Sequence, residues 1–207
     1  MELAKTDLLS VIEKVGKVDE KQSKVWYNEV FEGLEYLHSK HYSHRDLKVE
    51  NVLISNENVA LISDFGFVKE SLPKVLSSTY CGSVQYAPPQ ILINTPYDPF
   101  AADVWSLGVC VFATLTGRMP FSTGQEPFST GQEPFLTGQE PFPTRREPFQ
   151  HDKLYLFRNE QKNVKEIIAK AHVSHDARDL LSKMLNYEEK DRIRIKDALS
   201  HDWFKGI

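Results

Sequence analysis

Between Val104 and Leu115 the chain is almost continuously apolar, interrupted only by Ser106, Gly108 and Thr114. A run of this length is too short to cross about 30 Å of hydrocarbon. It reads instead as a helix buried on all sides, with Asp103 placed to open it and Gly117 to close it. The rest of the chain offers partners for such a helix. Lys21–Lys40 carries Trp26, Val30, Leu34 and Leu37 at helical spacing, and Asp176–Leu185 carries Ala177, Leu180, Leu181, Met184 and Leu185. Ile195–His201 predicts one more helix. Val52-Leu53-Ile54 and Val59-Ala60-Leu61-Ile62 flank the turn residues Ser55-Asn56-Glu57-Asn58, so 52–62 predicts a small β-hairpin. The expected fold class is α+β, mainly helical around one buried helix. Ser63–Tyr86 reads as a long loop, and loops of that length in compact domains are usually functional.

Charge and cysteine content narrow the function. With 25 Lys+Arg against 29 Asp+Glu the formal net charge is −4, which excludes a bulk basic footprint for nucleic acid or an anionic membrane. The only cysteines are Cys81 and Cys110, too few for a disulfide scaffold or a four-cysteine zinc site. Met1–Asp7 has neither the basic start nor the apolar core of a signal peptide. The expectation is a cytoplasmic protein with no nucleic-acid partner and no membrane.

Residues 122–149 form a repeat: Ser-Thr-Gly-Gln-Glu-Pro-Phe twice, then Leu-Thr-Gly-Gln-Glu-Pro-Phe, then Pro-Thr-Arg-Arg-Glu-Pro-Phe. A period of seven suggests a coiled coil, but each copy contains proline, which costs about 3 kcal/mol inside a helix. A zinc-finger linker has a similar wording, yet the Cys/His metal units it would join are missing. A flexible surface insertion is expected, with a Phe-studded docking segment as the other reading.

The chemistry concentrates in His44-Arg45-Asp46-Leu47-Lys48-Val49-Glu50-Asn51, followed thirteen residues later by Asp64-Phe65-Gly66. A carboxylate, a lysine and an amide oxygen share one loop, and a second carboxylate follows a hairpin. Phosphoryl transfer needs such a set: a group to take the acceptor hydroxyl proton, and hard oxygens to hold Mg²⁺ on the phosphates. The segment resembles the catalytic loop and metal-binding triplet of eukaryotic serine/threonine protein kinases. The likeness continues through Tyr80-Cys81-Gly82-Ser83, Tyr86-Ala87-Pro88-Pro89-Gln90, Asp103-Val104-Trp105-Ser106-Leu107-Gly108, Asp191-Arg192-Ile193 and His201-Asp202-Trp203-Phe204. The wording of 64–69 and 79–83 is most similar to the testis-specific serine/threonine kinases, in the calmodulin-kinase-like group.

The resemblance implies roles. Asp46 is the catalytic base, and Lys48 offsets charge on the transferred phosphoryl group. Asn51 and Asp64 hold Mg²⁺. Leu53 floors the adenine of ATP with Leu8 beside it, Asp7 meets the ribose, and Glu2 belongs to the hinge. Ser83 faces the protein substrate close to Asp46. Glu50 and Asp7 favour substrates with Arg or Lys upstream of the Ser/Thr acceptor. Thr79 stands at the activating phosphosite, and Arg45 is placed to pair with its phosphate. His44 is expected to pack under Phe65, and Asp103 to orient the catalytic-loop backbone. His38, His41, His172 and His175 read as surface residues.

The departures matter as much. The chain opens at the family's hinge, so the implied architecture is a C-terminal lobe with the N-lobe absent: 1–121 and 150–207 from the lobe, 122–149 inserted. The glycine-rich loop, strand lysine and helix glutamate that clamp ATP are not matched. Phe65 and Leu53 are expected to face solvent and to invite a covering partner. The family's Ala-Pro-Glu is Pro88-Pro89-Gln90, which removes the carboxylate facing Arg192. A truncated, weak or inactive kinase is expected; the alternative is a pseudokinase or degenerate lobe that acts as a binding module.

Overall fold

The structure, a computed structural model, describes residues 4–79, 81–121 and 158–206. The repeat at 122–149 and Glu2 lie outside the described residues, and 158–162 is helical.

The apolar run lies within helix α4 (Pro99–Thr116), after α1 (Leu8–Val15), α2 (Glu20–Ser39) and α3 (Pro89–Leu92). It begins one turn earlier than Asp103 suggested. Asp98 caps it, accepting from Phe100 N at 2.9 Å, and Pro99 occupies the first turn, where no backbone donor is needed. Asp103 therefore lies inside the helix. Gly117 closes the helix with φ 71°, and a Cβ there would sit 2.0 Å from Gly16 O, so only glycine fits. At 18 residues α4 is long and apolar enough to cross a membrane by length and composition, but 78% of it is buried within the structure.

Around α4 the other helices present apolar stripes. Asp19 caps α2 through Lys21 N and Gln22 N. The buried face of α2 (Trp26, Tyr27, Val30, Phe31, Leu34) is shared among its neighbours: Tyr27 Oη and Thr114 Oγ1 of α4 are 2.7 Å apart, Trp26 Nε1 donates to Asn58 O, and Phe31 packs edge-on against Phe204. Beyond the repeat come α5 (Val164–Ala169), α6 (His175–Met184) and α7 (Ile195–Leu199). Ser174 caps α6 through Ala177 N. Gly108 lets α6 approach α4 closely: a Cβ there would be 3.0 Å from Met184 and Leu185 side-chain atoms. Each fully buried large apolar side chain in this shell contributes about 1.5–3 kcal/mol.

The predicted hairpin is present as β3 (Val52–Ile54) and β4 (Ala60–Ile62), following β1 (Thr6–Asp7) and β2 (Tyr42–Ser43). β1 adds a third antiparallel strand, giving the order β1-β3-β4 with Asp7 opposite Leu53 and Leu53 opposite Leu61. The long loop is anchored more firmly than its sequence suggested. Its strand β5 (Lys69–Glu70) pairs with β2, and Ser77 bridges to Tyr97.

Candidate active site

The 44–51 loop is held from below by one carboxylate. Asp103, 1% exposed, accepts from His44 N through Oδ2 and from Arg45 N through Oδ1, both at 2.8 Å. The two bonds fix a turn in which Arg45 has φ 71°, a left-handed conformation that costs a non-glycine residue about 1–2 kcal/mol. His44 is buried, bonds Ser63 O at 3.0 Å and stands edge-on to Phe65 with centroids 5.4 Å apart. Both expectations for His44 and Asp103 hold. The surface reading of His38 does not: its Nε2 lies 2.9 Å from Asp103 Oδ2, and its side chain is only 10% exposed. His38 and Asp103 are separated by 65 residues, so helical periodicity carried no sign of the contact.

From this turn Asp46 enters a cluster of polar groups. Its Oδ1 accepts from Ser83 N at 3.1 Å and from the Ser83 hydroxyl at 3.2 Å. Its Oδ2 is 3.2 Å from Lys48 Nζ. Lys48 Nζ also reaches Ser83 Oγ at 3.5 Å, and Asn51 Nδ2 donates to Asp46 O at 2.9 Å. Asp46, Lys48, Asn51 and Ser83 thus come together. Gly82 allows it: with φ 90°, a Cβ there would lie 2.6 Å from Arg45 O.

Asp64 is tied to the same place through its neighbour. Ser63 N and the Ser63 hydroxyl donate to Asn51 O at 2.9 and 3.0 Å, while Ser63 O meets the His44 ring. Asp64 itself is exposed, in a left-handed conformation (φ 60°, ψ 73°), with Oδ1 accepting from Gly66 N. Because Asn51 spends its amide N–H on Asp46, its amide oxygen is the atom left to meet a cation. Among the described residues no three His, Cys, Asp or Glu side chains gather for a metal. One carboxylate and one amide oxygen fit Mg²⁺ all the same, since that ion takes few protein ligands and completes its shell with phosphate and water.

The residues assigned to adenosine are partly assembled. Asp7 and Leu53 are cross-strand neighbours, so they share a face of the sheet with Leu61. Asp7 also caps α1, accepting from Ser10 N at 2.8 Å and from the Ser10 hydroxyl at 2.7 Å. Leu8 is a correction: as the first residue of α1 its side chain is 0% exposed in the core, where it cannot flank a ligand. Leu61 on that face, and Phe65 and Phe67 in the segment after β4, are 47%, 55% and 46% exposed.

Arg45 reaches the backbone of the Thr79 region. Its Nη2 lies 2.8 Å from Cys81 Sγ and 3.4 Å from Thr79 O, and the Thr79 side chain is exposed. Burial pushes the Cys81 thiol up, and the Arg45 guanidinium opposes that. Tyr97, unremarked in the sequence, donates its hydroxyl to Thr79 O at 2.7 Å. Glu50 accepts from the Tyr86 hydroxyl at 3.1 Å, and burial raises its carboxyl pKa. Farther along, Gln90 Oε1 accepts from Arg192 Nη2 at 3.1 Å while Gln90 Nε2 donates to Tyr187 O at 2.9 Å. Arg192, 6% exposed, otherwise bonds the carbonyls of Asn186 and Ala101 and lies over the Trp105 ring.

This mainly helical fold, with an Asp-Lys-Asn loop and a second aspartate whose neighbour Ser63 is bonded to that loop, has the make-up of a protein kinase domain, and the model of that family matches residues 1–204. The chain belongs to the protein kinase family, and its relatives are eukaryotic serine/threonine kinases. It is 32% identical over 194 residues to the Aurora kinase of Dictyostelium discoideum, covering 94% of this chain and 42% of that protein. It is 33% identical over 201 residues to the probable serine/threonine-protein kinase KCC4 of Saccharomyces cerevisiae, covering 97% of this chain and 17% of that one. Over 131 residues, 56% of this chain and 40% of the relative, it is 40% identical to human testis-specific serine/threonine-protein kinase 4. The chain spans less than half the length of each of these relatives.

Proposed function

We propose that this chain is the catalytic and substrate-facing part of a serine/threonine protein kinase, one that moves the γ-phosphate of ATP to a protein Ser or Thr hydroxyl, and that it is weak or inactive by itself. The observation that carries the reading is the fixed carboxylate of Asp46, set between the Ser83 hydroxyl and Lys48 with Asn51 behind it. In this reading Asp46 orients the acceptor hydroxyl and takes its proton as the new O–P bond forms and the bond to the ADP leaving group breaks. Lys48 offsets negative charge on the phosphoryl oxygens. Mg²⁺, bound with ATP, would neutralise phosphate charge; Asn51 and Asp64 are the residues to hold it. Asp7 and Leu53 form the lower face for ribose and adenine. Glu50 favours basic residues upstream of the acceptor. A phosphate on Thr79 would pair with Arg45 and lock the loop. The setting proposed is cytoplasmic.

Leu61, Phe65 and Phe67 give weight to a covering body over the nucleotide side, supplied by another protein segment. The same exposure, with Gln90, favours a second reading: a kinase-derived binding module that does not transfer phosphate. Thermal unfolding with Mg·ATP, and phosphate incorporation into a basic Ser/Thr peptide with Asp46→Asn as control, separate the two. The proposal expects a rise in midpoint with Mg·ATP and slow incorporation that Asp46→Asn abolishes. No rise at millimolar Mg·ATP would favour the binding module.

A further inference from the structure

The phosphotransfer reading leaves the heptapeptide repeat unused. Each of its copies ends in Pro-Phe: Pro127-Phe128, Pro134-Phe135, Pro141-Phe142 and Pro148-Phe149. The same pair, Pro120-Phe121, stands seven residues ahead of the first of them. Pro120-Phe121 fills a seat in the core. Pro120 is buried, Phe121 is 1% exposed, and the Phe121 ring stacks on Trp105 with centroids 5.6 Å apart and an interplanar angle of 13°. We propose that the five Pro-Phe pairs are interchangeable occupants of this seat, so that the chain can take five registers between α4 and the helical residues 158–162, with Phe121 the main one.

The seat asks for an apolar aromatic ring against the Trp105 indole, and every copy brings the same ring. Chain length permits the exchange. Gln161 Nε2 donates to Ala87 O at 2.9 Å, and Ser106, next to Trp105, donates to Tyr86 O at 2.9 Å. Residues 158–162 and the Trp105 stretch of α4 therefore meet the same short segment. Residues 150–157 reach up to about 26 Å when extended, more than these contacts leave to cross with Phe149 in the seat. On the other side, the cost of joining the ends of a longer loop rises only as about the 3/2 power of its length. Dividing 118–157 at a later Pro-Phe costs about four- to sevenfold against dividing it at the first, and the four later registers together come within about twofold of the first. Phe121 keeps one advantage. Met119 packs against the core, whereas Glu126, Glu133, Glu140 and Glu147 precede the later prolines.

Urea unfolding of the full chain tests the exchange, with the Trp105 indole proton followed by NMR. Four forms are compared: wild type, Phe121→Ala, a four-site variant with Phe128, Phe135, Phe142 and Phe149 all changed to Ala, and a five-site variant that adds Phe121→Ala to those. No turnover is read, so the outcome is independent of the kinase assignment. An empty seat is a lost core phenylalanine, which raises the unfolding constant by at least about a hundredfold. Phe121→Ala alone should raise it by no more than about tenfold, with the Trp105 indole proton still shifted by a stacked ring. The four-site variant should stay within about twofold of wild type. The five-site variant should show the full loss or fail to fold, at least about tenfold beyond Phe121→Ala, because the two sets of changes remove alternative occupants of one seat. Failure of Phe121→Ala to fold, a smaller gap between it and the five-site variant, a larger loss in the four-site variant, or a Trp105 proton that loses its ring shift in Phe121→Ala would each overturn the proposal.

Discussion

Arg192 is a charge buried among neutral oxygens, and one substitution measures what that costs. Burial pulls its guanidinium pKa down to about 10, with Glu189 and Asp98 opposing the drop from a distance, which corresponds to a penalty on the order of 3 kcal/mol against the charged form. Gln90→Glu would place a carboxylate oxygen where Oε1 now accepts from Arg192 at 3.1 Å. That change turns a bond to a neutral acceptor into an ion pair and recovers part of the penalty. The same change removes the Gln90 N–H that Tyr187 O now receives at 2.9 Å, a loss of about 1 kcal/mol. The balance predicts a gain of about 1 kcal/mol at neutral pH. Its sign with pH follows from linkage: the new carboxyl, held beside a cation, has a folded-state pKa below its unfolded one. Its benefit is therefore present above the ordinary carboxylate range and is lost as pH falls through the folded value. Urea unfolding at neutral pH and at about pH 3 reads both, provided the slope against urea is unchanged. A variant no more stable than wild type at neutral pH, or a gain that survives in acid, would refute the reasoning. Gln90→Ala, which leaves Tyr187 O unmet and Arg192 with one acceptor fewer, should cost about 2–4 kcal/mol in the same assay.

Gly82→Ala forces a Cβ against Arg45 O at 2.6 Å with φ at 90°; urea unfolding should show a loss of at least about 2 kcal/mol. Asp179 has its carboxyl pKa lowered by hydrogen bonds from Lys183 and His201. Its contribution is present above the ordinary carboxylate pKa and fades as pH falls through the folded value, so Asp179→Asn should flatten the acid limb of a melting-temperature profile. Phosphorylating Thr79 should raise the melting temperature through Arg45, and Arg45→Gln should remove that rise; an equal rise in both forms would show that the phosphate pairs elsewhere. Leu61→Ser with Phe65→Ser should reduce binding of a hydrophobic dye and self-association measured by light scattering.

The parts of the fold that were legible in sequence are those whose cause is local. The buried helix showed itself because the residues of 104–115 have no polar face, and the hairpin because Ser55–Asn58 is turn chemistry between two short apolar runs. The start of α4 was misplaced because Asp103 was read as the cap while Asp98-Pro99 made it. α1 was missed because Asp7 looked like a ligand residue; its carboxylate is also the N-cap, and the helix then carries Leu8 into the core. The loop from His44 to Asn51 could be read because most of the chemistry is contiguous there. His38 and Tyr97 could not, since each acts through a partner brought up by the packing of other elements. Cys81 shows the same limit, since its cationic neighbour Arg45 lies 36 residues away in sequence.

The central proposal is that Asn51 and Asp64 hold a single divalent ion beside the nucleotide face, with Asp46 next to it. Titrating the isotopically labelled chain with Mn·ATP, with Mg·ATP as the diamagnetic reference, tests it without requiring turnover. The account predicts paramagnetic broadening that is strongest at Asp64 and at the Asn51 backbone and side-chain amide, next at Asp46, and absent from α6 and α7. Broadening centred on other carboxylates, or none at these three residues while ATP signals show binding, would contradict it.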